Sequence, residues 1–174
     1  TNDDMIAFNA DDSIVRVENL DLSRGPIENI TVENVSADNC YTFFRLLSVT
    51  APIRNIKIKN VLGGCRVFAI NMDSARYCRT PLFNEENYPN GVGKIENVEI
   101  EGMRVWHTGD KKPKAMLLCE SIVKDFWITG FDRPPELDSD MEVPTLLVRN
   151  VTDTKVSAVG AFGTKTDLLT YKSD

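Results

Sequence analysis

The sequence has no run approaching the roughly 18 consecutive apolar residues that a membrane-spanning helix needs, so no such span is expected. It carries a single histidine, His107. No partner is placed beside it, which makes it a poor general base. Of the four cysteines, Cys40, Cys65, Cys78 and Cys119, no two have C-x-x-C spacing, which argues against a zinc site. Positive charge is in deficit. Twenty Lys and Arg stand against 26 Asp and Glu, giving a net charge of -6. That balance argues against nucleic acid as the main partner. It also disfavours a polyanionic substrate unless the basic residues gather at one place. No signal peptide is visible and no initiating Met is present. A solenoid needs a polar cap at each end, and none is readable before Thr1. The chain is therefore expected to be the later part of a longer one.

What the sequence does contain is a repeated phrase. Pro26-Ile27-Glu28-Asn29-Ile30-Thr31-Val32-Glu33-Asn34-Val35 returns 26 positions later, from Pro52 to Val61. A third copy, Lys94 to Met103, follows 42 positions after the second. A period in this range points to a solenoid. Within the phrase, Ile30 and Val32 alternate with Thr31 and Glu33, and Ile56 and Ile58 with Lys57 and Lys59. Period 2 with Ile and Val marks a strand buried on one face. Asn29, Asn55 and Asn97, with Asn34 and Asn60, suit corners between strands, because Asn tolerates the left-handed backbone. Stacked coils would set these amides above one another in ladders that satisfy buried polar groups.

The rest of the chain fits about six coils of 22 to 26 residues spanning 1–160, with a C-terminal cap or tail at 161–174. Strands are predicted over Met5 to Phe8, within Ile14 to Leu22, over Tyr41 to Leu47 and Arg66 to Met72, and twice within Ala115 to Ile128. Leu147 to Val151 echoes the repeat. Phe44 and Phe68, 24 positions apart, suggest an interior aromatic stack. Cys40 and Cys65 lie about one coil apart and read as stacked interior thiols or as a disulfide. Residues 75–93, rich in Asn, Pro, Glu and Gly, read as a surface loop leaving the solenoid. Residues 131–144, with three prolines, read as a second loop. Within it, Asp138-Ser139-Asp140 lacks the glycine and closing glutamate of a calcium loop and reads as solvated. Trp127 is expected to be half exposed. Asn29, Asn34 and Asn150 begin glycosylation sequons, which fall out of the repeat itself.

Short Ile/Val strands with corner asparagines resemble the single-stranded right-handed parallel β-helix of the pectin-lyase-like superfamily. Within it, Asn2-Asp3-Asp4-Met5-Ile6-Ala7-Phe8 resembles the Asp-Asp motif of the polygalacturonase family of glycoside hydrolases. The resemblance implies a secreted enzyme, extracellular or periplasmic, acting on a polysaccharide by inverting hydrolysis, with no metal and no other cofactor. It implies Asp3 as the acid, and Asp4 as base together with a third Asp from a preceding coil. Three departures stand out. The family's Gly-His-Gly motif is absent, and Ser23-Arg24-Gly25-Pro26 occupies its place. The Arg-Ile-Lys strand survives only as Phe44-Arg45-Leu46. The coil that would carry the third Asp is not in this sequence.

Inverting hydrolysis needs an acid for the leaving oxygen and a base for water, with the two carboxyls roughly 6.5–9.5 Å apart. Crowded carboxylates share a proton, which raises the acid's pKa. Asp3 and Asp4 are the candidates, although an Asn-Asp-Asp run also makes an ordinary turn before a strand. Arg45 can pair with a sugar carboxylate in bidentate fashion, and Arg66, about a coil further on, can flank it. Tyr77 is a candidate to stack on a sugar ring. The competing class is a non-catalytic β-helix that binds glycans, adheres or serves as structure, as in surface proteins and phage tail fibres.

Overall fold

The computed structural model describes residues 3–11, 25–76, 83–152, 155–161 and 171–173. Nine strands are described: β1 (Asp4–Asn9), β2 (Ile27–Leu47), β3 (Ile53–Asp73), β4 (Ile95–His107), β5 (Leu117–Cys119), β6 (Val123–Asp132), β7 (Leu146–Val148), β8 (Val156–Ala161) and β9 (Tyr171–Ser173). Every pairing between them is parallel. The fold is a parallel β-helix. One ladder runs β2–β3–β4–β6–β8, and a second runs β1–β2–β3–β5–β7–β9. The long strands β2 and β3 belong to both, because each bends from one ladder to the other. The second ladder has six rungs, matching the six coils expected. The strands expected within Ile14 to Leu22 lie outside the described residues.

The repeated phrase sets the register of the first ladder. Ile27 pairs with Ile53 and Ile53 with Ile95; Ile30 pairs with Ile56 and Ile56 with Val98. Ile53, Ile56, Ile58, Ile95 and Val98 are fully buried. Each such side chain contributes about 1.5–3 kcal/mol relative to exposure. The polar partners of the alternation face out and pair along the axis. Glu28 meets Arg54, Lys57 meets Glu99, and Lys59 meets Glu101. Exposed pairs of this kind add little stability, about 0–1 kcal/mol each. They do disfavour slippage, because a shift by one coil would juxtapose like charges.

The corners are asparagine ladders. Asn29, Asn55 and Asn97 have φ of 59°, 57° and 52°. The Asn55 amide donates to Asn29 Oδ1 at 3.0 Å, and the Asn97 amide to Asn55 Oδ1 at 2.8 Å. The ladders lie at the exposed surface rather than around buried groups. Along the second corner Asn34 and Asn60 are followed by Gly102 and Gly130, all with positive φ. Asn55→Ala is expected to cost about 1–2 kcal/mol, from left-handed strain plus two exposed hydrogen bonds. Asn55→Gly keeps the backbone freedom and should cost less than half of that in urea unfolding. Equal losses in the two variants would exclude backbone strain as the reason for Asn here.

Several local expectations change. Phe44 and Phe68 do not stack. Beyond the irregular stretch between Ala37 and Thr42 the pairing returns to the 26-residue offset of the phrase, so Thr42 faces Phe68 and Phe44 faces Ile70, and a spacing of 24 falls two residues short. Phe44 lies against Phe43 instead, with ring centroids 6.4 Å apart. Cys40 and Cys65 are register partners, both buried and both free thiols. Burial pushes the Cys40 thiol up to about 11. Trp127 is buried at 6% exposure, not half exposed.

Of the loop expected at 75–93, residues 84–90 are exposed while its described flanks are anchored on the solenoid. Phe83, Val92 and Ala75 pack on Leu47 and Val49 as a second small core, and Phe83 meets Tyr88 edge to face. Asp138 is not solvated either. Its side chain is fully covered and paired with Arg133 at 2.7 Å, and it accepts from the backbone N–H of His107 and Asp140. Burial pushes its carboxyl up, but the hydrogen bonds from Arg133, Asp140 and His107 outweigh this and hold it below the ordinary range. Finally, Tyr171–Ser173 of the unpatterned tail forms one more rung on β7.

Candidate active site

The second ladder carries the polar side chains of interest on its outer face. Its register sets Ala7 beside Arg45, Arg45 beside Asn71, and Asn71 beside Leu118. It also sets Leu47 beside Asp73. Asp4, at the start of β1, faces Thr42.

Arg45 joins two acids. Its Nη1 lies 3.9 Å from Asp4 Oδ2, while its Nη2 and Nε lie 2.9 and 3.0 Å from Asp73 Oδ2. The other Asp73 oxygen accepts from the Ala75 backbone N–H at 2.7 Å. Asp73 is buried, and the Asp4 side chain is only 13% exposed. Burial pushes the Asp4 carboxyl above its ordinary range; Arg45 pulls it down, Asp3 pushes it up, a Thr42 hydrogen bond lowers it, and Asp73 raises it. Asp3 is exposed, and its Oδ1 accepts the backbone N–H of Asp4 at 2.9 Å. The two neighbours thus have different surroundings, as a strand start requires.

Asp73 forms part of the wall of an open groove of about 540 Å³ that continues along the helix axis. Tyr41, Asn71, Leu118, Glu120 and Arg149 line it further along. Arg76, Lys112 and Lys114 lie on it too, so basic side chains do gather at one place on this acidic protein. Phe68 packs under it against Leu118 and Leu147.

Of the sequence candidates, Asp3, Asp4 and Arg45 come together. Arg66 does not flank Arg45. Its guanidinium sits over the Tyr41 ring, 5.7 Å from the centroid, and its carbonyl oxygen lies 2.8 Å from His107 Nε2. His107 is buried, with Nδ1 2.9 Å from the Ser139 hydroxyl, and it serves the structure. Tyr77 lies outside the described residues; the aromatics on the groove among the described residues are Tyr41 and Phe68. The residues not foreseen are Tyr41, Asn71, Asp73, Glu120 and Arg149. For Asp73 the signal was present, since the 26-residue period sets it beside Leu47, two residues past Arg45.

Among the described residues no group of three or more His, Cys, Asp or Glu is arranged to hold a metal ion. Compared with family models, with curated proteins and with solved structures, the chain matches none of them at a significant level.

Proposed function

We propose that this β-helix is a polysaccharide-active glycoside hydrolase of the polygalacturonase type, working from the outer face of the second ladder. The observation that carries the reading is the Asp4 carboxyl, largely buried and held above its ordinary range beside the Arg45 guanidinium, which in turn holds Asp73 at the end of the groove wall. A carboxyl that stays protonated closer to neutrality is the group a glycosidase needs to protonate a leaving oxygen. This gives Asp4, rather than Asp3, the acid role. Asp73, held by Arg45 and the Ala75 N–H, is the second carboxyl, in the role of the base that activates water. Arg76, Lys112 and Lys114 supply attraction for a chain bearing uronate carboxylates. The substrate class is a uronate or deoxy-sugar polymer, and the setting extracellular or periplasmic.

The test is reducing-end release from polygalacturonate and from a mixed uronate–deoxyhexose polymer, at several pH values and two salt concentrations. Turnover with KM rising in salt is expected. No release from either polymer would remove the hydrolase reading. One observation favours a second reading, a groove that binds glycan without cleaving it. Arg45 spends two of its donors on a single Asp73 oxygen, which is the geometry of a structural ion pair.

A further inference from the structure

One wall of the groove is finished more precisely than acid chemistry at Asp4 requires. Glu120 follows β5 and its side chain is 9% exposed. Its backbone N–H is fixed to the Met72 carbonyl at 2.8 Å. Three donors converge on one of its oxygens: Arg149 Nε at 2.6 Å, Arg149 Nη2 at 2.5 Å and Asn150 Nδ2 at 3.1 Å, all to Oε1. That saturates Oε1, since a carboxylate oxygen has about two lone pairs. It leaves Oε2 as the remaining acceptor, on a side chain locked in place. One coil away, Asn71 also lines the groove, and its Oδ1 is buried with no hydrogen-bond partner among the described residues.

We infer that Asn71 and Glu120 form a saccharide subsite that accepts hydrogen bonds from two hydroxyls of one sugar ring. The two groups come from neighbouring rungs and are offset by two residues along the strand, because Asn71 pairs with Leu118. With rungs about 4.8 Å apart and about 3.3 Å per residue, the diagonal is roughly 8 Å between Cα atoms. That is the scale of a single ring with its hydroxyls. Both groups present acceptors, and a buried acceptor without a donor is costly, so the fitting ligand brings O–H groups rather than more oxygens. Tyr41, 36% exposed on the same groove and stacked under Arg66, offers a face for a ring. The subsite deepens the proposed function, and it rests on that reading for the identity of its ligand as a sugar.

Glu120→Gln separates the groove-facing oxygen from the structural one. The amide oxygen can keep Arg149 and Asn150, and the amide nitrogen then replaces the acceptor at the groove with a donor. We expect KM for polygalacturonate to rise about tenfold with kcat within about threefold, the loss of one hydrogen bond to a charged acceptor. Asn71→Ala should raise KM in the same way. Direct binding of oligogalacturonates by the Asp4→Asn protein should weaken by a similar factor when either change is added. Unchanged KM and unchanged binding in both variants, with thermal melts like the parent, would overturn the subsite. If Glu120→Gln does not fold, Asn71→Ala decides alone. Binding that responds to both changes without any turnover would keep the subsite and remove the hydrolase reading. A wild-type protein that neither binds nor cleaves these saccharides removes both.

Discussion

Replacing Gly63 with alanine is expected to cost the fold about 4 kcal/mol, at the extreme of what single substitutions do. Gly63 sits where β3 turns from the first ladder toward the second, paired with Ala37 on one side and Val105 on the other. Its φ is 135°, a conformation that side chains rarely adopt. A Cβ there would lie 1.8 Å from the Ala37 carbonyl oxygen and 2.8 Å from its carbonyl carbon. Those atoms are the backbone of the rung beside it, and cannot rotate away as the end of a side chain would. Relief requires the two coils to separate, which breaks pairings on both sides of the bend. Gly102→Ala is the comparison. Gly102 also has positive φ, 75°, but its nearest foreign atom is Asn60 Oδ1 at 3.7 Å. Only left-handed strain of about 1–2 kcal/mol applies there. Urea unfolding of the two variants measures the gap. A Gly63→Ala midpoint equal to that of Gly102→Ala would mean that the coils yield where they are drawn as rigid.

The contrast between these glycines shows where the sequence was readable. The phrase around Asn29, Asn55 and Asn97 keeps its internal spacing in every copy although the copies start 26 and 42 positions apart, so aligning the phrases fixes the first ladder, its core and its amide corners. The second ladder does not repeat in that way. Between β2 and β3 it keeps the 26-residue offset, which pairs Phe44 with Ile70 and not with Phe68, but beyond β3 the offset changes at each rung, Asn71 pairing with Leu118 and Leu118 with Leu147. Residues 75–93 and the Gly109–Lys114 turn then separate Asp73 from Glu120 in the chain, although they end neighbouring rungs. The groove is therefore assembled only in part from residues that a period relates: Asn71 and Asp73 follow from the 26-residue offset, while Glu120 and Arg149 do not. The resemblance at Asp3 and Asp4 pointed to the Arg45 cluster that touches the groove through Asp73, and could not reach the rest of it. Asp138 shows the opposite error. An acidic tripeptide in a proline-rich segment looks solvated, and only the fold reveals that Arg133 and the His107 N–H meet it inside.

Asp4→Asn is expected to lower turnover of polygalacturonate by about a thousandfold, the usual scale for losing a positioned general acid, while leaving the protein folded. The stability side follows from the direction of the shift. The folded-state pKa of Asp4 lies above its unfolded value of 3.8. The group's favourable contribution is therefore complete below pH 3.8 and is lost as pH rises through the folded-state pKa. Asparagine carries no such loss. The variant should melt at or above the wild-type temperature at neutral pH, with the difference shrinking as pH falls toward 3.8. Loss of activity together with equal or greater stability is the signature of a functional carboxyl rather than a structural one. The pH–rate profile adds an independent arm. If protonated Asp4 is the acid, kcat falls on the alkaline side through its pKa, and Arg45→Gln moves that limb upward, because Arg45 is the charge that pulls the carboxyl down. A variant that keeps turnover shows that Asp4 is not the acid. A variant that is both inactive and less stable at pH 7 makes the pairing with Arg45 the whole of its role. Only inactivity with undiminished stability, and a limb that answers to Arg45, fits the acid assignment.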